Sequence, residues 1–282
     1  MRSAMLLIPW FRWEPWVVRW AGTEIAVFPY QVTVALAILT IITAAALFSR
    51  QQQRSIERTL DFLLYVMICA LPCALLASVL LYQGGALARF FADPVSDHGL
   101  QLHWSTLGGL IGGSFGAALW WARYRADLFG QLDVLAFALP FGWCLARIGC
   151  FGVHDHAGRV SDFALAVADF RFGVPPYEPR HDMGLYDAMT VGAIALLFAY
   201  LARRRRPLGL YLALLLTLYP PIRFFLDFLR ATEAEGGMTR FLGLTYIQYI
   251  AALLWPLGLV LLVRVRTTSR SWTAPANGAG TS

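Results

Sequence analysis

Seven apolar stretches, separated by short polar connections, set the pattern of this chain. They run over residues 30–48, 60–82, 106–121, 132–151, 185–201, 208–229 and 246–263. A hydrocarbon core of about 30 Å needs roughly 20 apolar residues per helical crossing, and each stretch comes close to that length. Helices are almost forced, because an open sheet would leave backbone N–H and C=O groups unpaired in lipid. The alternating ten-residue segments of a membrane β-barrel are absent. The expected fold class is an all-α integral membrane protein with seven transmembrane helices.

The connections differ in charge. One alternating set holds Arg50, Arg54 and Arg58, then Arg123 and Arg125, the run Arg203 to Arg206, and Arg264, Arg266 and Arg270. The opposite set holds Asp93, Asp97, Asp155, Asp162, Asp169, Glu178, Asp182, Glu233 and Glu235. Positive charge stays cytoplasmic, so the N-terminus is expected outside and the C-terminus in the cytoplasm. Residues 1–29 read as an interfacial segment, since Trp10, Trp13, Trp16 and Trp20 alternate there with Arg12, Glu14 and Arg19. Residues 30–266 form the seven-helix domain, with 152–184 as an extracytoplasmic head loop. Residues 267–282, rich in Ser, Thr, Gly and Ala, are expected to be a disordered cytoplasmic tail.

Composition agrees: 58% of residues are hydrophobic and only 14% charged, where a soluble domain carries about 25%. The net charge of +6 does not indicate a nucleic-acid binder, because the arginines sit in the connections, where they meet anionic headgroups. Cys69, Cys73, Cys144 and Cys150 lie in or beside apolar stretches, without the spacing of a disulfide framework or a zinc site. No metal and no cofactor are expected.

Charged residues inside apolar stretches point to chemistry. Arg147 lies near the end of the fourth, and Arg223 and Asp227 lie inside the sixth. Each costs about 2.5–3.5 kcal/mol at mid-bilayer even on the lenient insertion scale, so they must face the protein interior or a wet cavity. Arg223 and Asp227 share a helix face, which Tyr219 and Arg230 extend. An internal ion pair joining helices is one reading. A cationic pocket for a phosphate headgroup is the other, and guanidinium forks suit it. Glycines at four-residue spacing, Gly108 with Gly112 and Gly109 with Gly113, allow helices to approach closely.

In order along the chain, these features resemble those of the prolipoprotein diacylglyceryl transferases, bacterial inner-membrane enzymes with seven helices. The resemblance covers roughly residues 30–248. Tyr30 matches the family's first-helix tyrosine, and Gly108 to Gly112 its Gly-Gly-Leu-Ile-Gly stretch. Arg147-Ile148-Gly149-Cys150-Phe151, followed by Asp155, Gly158 and Arg159, is similar to its Arg-Ile-Gly-Asn-Phe signature. His181 to Asp187 resembles its His-Pro-Ser-Gln-Leu-Tyr-Glu element, and Tyr219, Arg223, Asp227 and Arg230 match its late Tyr, Arg, Glu and Arg.

The resemblance implies a multi-pass enzyme of the bacterial inner (plasma) membrane, active on its extracytoplasmic side. Its partners would be phosphatidylglycerol, membrane lipids and a lipoprotein precursor with a lipobox cysteine, whose thiol receives the diacylglyceryl group. Arg147, Asp155, Arg223, Asp227 and His103 are the catalytic candidates. Tyr30, Gly108, Gly109, Gly158, Arg159, His181, Tyr186, Tyr219 and Arg230 are the substrate-binding candidates. The chain departs from the family at Leu107, where a histidine precedes Gly-Gly, and at Cys150, Asp155, Asp227 and Gly184. His103 lies one helical turn before Leu107 and is the replacement considered for the missing base. His154 and His156 are others, and each histidine also reads as an ordinary loop residue. The alternative is a non-catalytic or substrate-diverged lipid-binding membrane protein that kept the fold.

Overall fold

The computed structural model describes residues 7–20, 23–82, 105–173, 175–235 and 237–268. Every apolar stretch is a helix: α1 (Pro29–Gln51), α2 (Ile56–Tyr82), α3 (Thr106–Tyr124), α4 (Leu128–Val153), α5 (Met183–Leu201), α6 (Leu210–Leu226) and α7 (Tyr246–Thr268). Six of them are long and apolar enough to cross a membrane; α3, with its five glycines, is the helix outside that set. The fold is more than helices, because two small antiparallel sheets accompany them. One is the hairpin of β1 (Trp16–Trp20) and β2 (Thr23–Val27), the other the pair β3 (Ala157–Val160) and β4 (Arg180–Asp182). α7 continues through Thr268, into the first residues of the expected tail. Residues 269–282 of that tail lie outside the described residues.

The chain divides into two compact units, Ser49–Leu132 and the remainder. In the first, α2 and α3 lie against each other along Gly108, Gly112 and Gly116. A Cβ at these positions would strike the carbonyls of Cys73, Cys69 and Tyr65 in turn. Both series step by four residues and run in opposite senses, so the helices are antiparallel and in register. Gly109 and Gly113 face looser contacts, at 3.9 Å from Ala74 Cβ and 3.6 Å from Val66 Cγ1. The close-approach line is therefore 108–112–116. Gly112→Leu is expected to cost about 1–3 kcal/mol through overpacking, read as a lowered melting temperature in detergent, whereas Gly113→Ala is expected to be mild.

In the second unit, α4 meets α1 at Gly142, against the Ala37 carbonyl, and at Gly149, against Thr33. Phe48, Phe137, Phe198 and Tyr211 form an aromatic cluster joining α1, α4, α5 and α6. Pro220 and Pro221 remove two helical N–H donors from α6, which frees the carbonyls of Leu216 and Thr217. Gly258 of α7 lies against the backbone there, with room for no side chain.

Helix α4 ends where His154 turns left-handed, at φ 53°. The chain then enters the head. β3 pairs with β4 through Ala157–Asp182 and Val160–Arg180, and Gly158 bridges to Arg230 beyond α6. The amino-terminal segment is tied in as well: Ile8 exchanges hydrogen bonds with Ala166 and Ala168, and the Trp13 N–H donates to the Gly152 carbonyl at 2.9 Å.

Candidate functional site

The site is assembled where the ends of α4 and α6 meet the start of α5. Asp182 begins α5 by accepting a hydrogen bond from the Leu185 N–H at 3.0 Å, a carboxylate cap that satisfies one orphan donor. The same side chain holds His154 Nδ1 at 2.6 Å. Both are buried, and the His154 ring stacks on Trp10 at 4.7 Å with Phe11, Phe151 and Phe170 around it. This pair ties the end of α4 to the start of α5. Gly184 opens α5 because a Cβ there would come within 2.8 Å of the Phe151 nitrogen.

One turn into α5, Asp187 is fully buried and gathers two arginines. Its Oδ2 lies 3.0 Å from Arg223 NH1 of α6 and 3.4 Å from Arg147 Nε of α4. Arg223 also donates through NH2 to Asp227 Oδ1 at 3.0 Å. Arg230 Nε lies 3.7 Å from that oxygen, and Arg240 donates to the Asp227 carbonyl at 3.2 Å. Three guanidinium groups, of Arg147, Arg223 and Arg230, thus share the carboxylates of Asp187 and Asp227. Both sequence readings of Arg223 meet here: it pairs with Asp227 and also converges with Arg147. The cluster keeps a surplus of positive charge. Burial, and then the repulsion of Arg223, push the Arg230 guanidinium below its ordinary value, as expected of a cation that lacks a full counter-charge.

Some polar atoms of the cluster are left open. Arg147 Nε sits at ion-pair distance from Asp187 but off hydrogen-bond alignment. Tyr219 stands beside Asp187, Arg223 and Arg147, with its ring 4.5 Å from Trp143. Such an arrangement is suited to an oxyanion bound through forked N–H donors.

The carboxylate of Asp227 is aimed by the start of α7. Thr245 and Gln248 form a reciprocal cap: the Thr245 N–H donates to Gln248 Oε1 at 2.9 Å, and the Gln248 N–H reaches Thr245 Oγ1 at 3.4 Å. The Thr245 hydroxyl donates in turn to Asp227 Oδ2. Thr245→Val is expected to remove the hydroxyl half of the cap and the bond to Asp227, costing about 0.5–2 kcal/mol, with a partial loss of activity; thermal unfolding and turnover measure the two.

The remaining sequence candidates fall into distinct places. Tyr30, at the start of α1, faces Cys150, with Asp155 and Arg147 close by. Gly158 is packed between His181 and the Leu229 carbonyl, so a Cβ would meet them at 2.6–2.8 Å. His181 Nδ1 lies 2.6 Å from the Tyr186 hydroxyl, and burial lowers the basicity of its imidazole. Arg159 is exposed on β3 and Asp155 is exposed at the edge of the cluster. Gly108 and Gly109 lie on α3, where the first serves contact with α2. His103 lies outside the described residues. Asp187, Thr245 and Arg240 are the participants that the sequence reading did not select. Asp187 carried a signal, since it is an acid inside an apolar stretch, four residues before Val191 on the buried face of α5.

Across the head, Arg180 NH1 joins the Gly158 carbonyl at 3.0 Å to Glu235 Oε1 at 2.8 Å. The Thr232 N–H and hydroxyl also donate to Glu235, and these bonds, the backbone one first, hold its carboxyl below the usual range.

The family model described as prolipoprotein diacylglyceryl transferase matches residues 16–264. A protein of Campylobacter curvus named phosphatidylglycerol–prolipoprotein diacylglyceryl transferase is 27% identical over 241 residues, covering 80% of this chain and 85% of its own. Proteins of the same name from Chromohalobacter salexigens and Vibrio vulnificus are 32% and 34% identical, over 62% and 53% of this chain. Those two matches span 65% and 55% of the relatives' lengths.

Proposed function

Because the chain belongs to the prolipoprotein diacylglyceryl transferase family, we propose that it moves the diacylglyceryl group of phosphatidylglycerol onto the cysteine thiol of a lipoprotein precursor. The observation that carries this reading is the meeting of Arg147 and Arg223, from separate helices, on the buried Asp187. In the reaction the thiolate attacks the glyceryl carbon, the C–O bond to phosphate breaks, and glycerol phosphate leaves with the electron pair. Negative charge grows on the departing oxygens, and preorganised guanidinium donors stabilise that growth without reorganising. Arg147 and Arg223 hold the phosphate, Arg230 and Tyr219 line its place, and Asp187 and Asp227 orient the arginines. Tyr30, Gly158, Arg159, His181 and Tyr186 shape the walls.

The protein is a multi-pass protein of the bacterial inner membrane, with this site toward the extracytoplasmic side. A parity argument supports seven crossings. Trp13 is bonded to Gly152, so the two lie on one side of the membrane. Four long helices, α1 to α4, lie between them in the described residues. An even number of crossings suits that arrangement, which favours counting α3 with the three more apolar helices. Gly158 likewise bridges to Arg230 across the two crossings of α5 and α6. α7 then leaves the C-terminus opposite the N-terminus, in the cytoplasm. The exposed Trp16, Val17 and Val18 of the β1–β2 hairpin support a headgroup-level seat for residues 1–29.

The test is purified protein supplied with phosphatidylglycerol labelled in its acyl chains and a lipobox peptide. A labelled thioether and released glycerol phosphate are expected. Retained lipid binding without thioether would overturn the transferase reading in favour of a lipid-binding protein that kept the fold, the reading that Leu107 in place of the family's histidine favours.

A further inference from the structure

The transfer requires a base, because a free thiol is only a few per cent thiolate near neutral pH. Among the described residues, three histidines are available to supply one. His154 is buried against Asp182 and enclosed by aromatic rings, and His181 is bonded to Tyr186. His156 is different. Its Nε2 lies 3.1 Å from Arg147 NH1, at the rim of the arginine cluster, and its Nδ1 lies 2.6 Å from Asp155 Oδ1. The imidazole is half-buried, with its side chain 26% exposed, and so is open to an approaching group.

Guanidinium offers donors only, so Nε2 must accept from Arg147. The proton of the neutral ring then sits on Nδ1, facing the Asp155 carboxylate. The Nδ1 contact is within hydrogen-bond distance but off alignment. Resting on the transferase reading above, we propose that His156, held in this tautomer by Asp155, is the general base that takes the proton of the acceptor thiol. It stands in for the histidine that Leu107 has replaced.

The site supplies a trigger. When a phosphodiester engages Arg147, the guanidinium gives up His156, and the Nε2 lone pair is released beside the bound lipid. The S–H proton passes to Nε2, the thiolate forms the C–S bond as the C–O bond breaks, and the imidazolium returns its proton to the departing phosphate. Asp155 steadies the transient cation. No atom is left over and no co-reactant is required.

A metal is the competing use of these groups. Cys150, Asp155 and His156 bring ligand atoms within 4.8 Å of one another. Arg147 argues against it, since its NH1 contacts His156 Nε2 and lies 3.9 Å from Cys150 Sγ, where it would repel a second cation. The charged and titratable groups around His156 are Arg147 and Cys150 from α4, Asp155 beside it, Tyr30 from α1, and Asp187 of α5 behind Arg147.

The experiment is steady-state transfer from phosphatidylglycerol to a lipobox peptide by the full chain and by His156→Gln and His156→Ala. His156→Gln is expected to lower kcat about 10²- to 10⁴-fold with the KM for phosphatidylglycerol unchanged, and to abolish the fall of kcat toward acid pH. Imidazole in the buffer is expected to restore part of the activity of His156→Ala, which a merely structural loss would not allow. A parent protein with no transfer at all refutes the transferase reading itself. An active parent with a His156→Gln variant of the same kcat and pH profile overturns the base alone. So does a lipid-binding His156→Ala that imidazole fails to rescue, or parental activity that is lost to a chelator and restored by zinc.

Discussion

Asp187→Ala is expected to lower the stability of the protein by about 3–5 kcal/mol, the usual result of removing one partner from a buried ion pair, and to abolish transfer. The carboxylate is fully enclosed and touches both Arg147 and Arg223. Without it three clustered guanidinium groups would face Asp227 alone, inside a medium that cannot solvate them. Asp187→Asn keeps the shape and removes the charge, so it should show most of the same loss. Thermal unfolding in detergent, followed by helical circular dichroism, measures the first effect and labelled-lipid transfer the second. A shift below about 1 kcal/mol, the scale of surface ion pairs, would mean that water reaches the arginines and that the cluster is not enclosed.

The second large effect concerns the arginines. Arg223→Ala should reduce kcat at least 10²- to 10³-fold, the loss typical of deleting one donor to a developing oxyanion. It also takes from Asp187 and Asp227 the guanidinium closest to both, at 3.0 Å from each, so the protein is expected to be less stable as well. Arg147→Lys separates the two effects. It retains a positive charge near Asp187, so the fold should survive, but it loses the planar fork that grips two oxygens. Transfer should fall about 100-fold in a protein that still inserts and melts normally. Both variants transferring lipid at the parental rate would remove the phosphate site from these residues.

Much of this was legible in the sequence because lipid is an unforgiving solvent. A guanidinium in an apolar stretch must find company, so Arg147 and Arg223 stand out in the sequence itself. Their meeting point did not. Asp187 is an acid at the head-loop end of an apolar stretch, a signal weaker than a mid-stretch arginine, and only the packing of α5 shows that it is buried between Arg147 and Arg223. Thr245 and Gln248 have the spacing of a reciprocal helix cap, yet the link from that cap to Asp227 is tertiary and has no local trace. The glycines of α3 were readable as a packing face, but which of the two interleaved lines touches α2 depends on helix rotation. His156 was one candidate among several, because only the fold of the head brings its ring against Arg147. The amino-terminal residues read as interfacial from their tryptophans. Nothing in that pattern anticipates Ile8 and Trp13 pairing with backbone more than a hundred residues later.

That distant pairing has a consequence for biogenesis. Chains emerge from the ribosome amino end first, yet the backbone groups that Ile8 and Trp13 bond here, on Ala166, Ala168 and Gly152, follow much later in the chain. These contacts therefore form only after α1 to α4 have been made and the head has followed. Trp10, stacked over His154, joins in that late step, so the stretch from Ile8 to Trp13 is among the final pieces to be set in place.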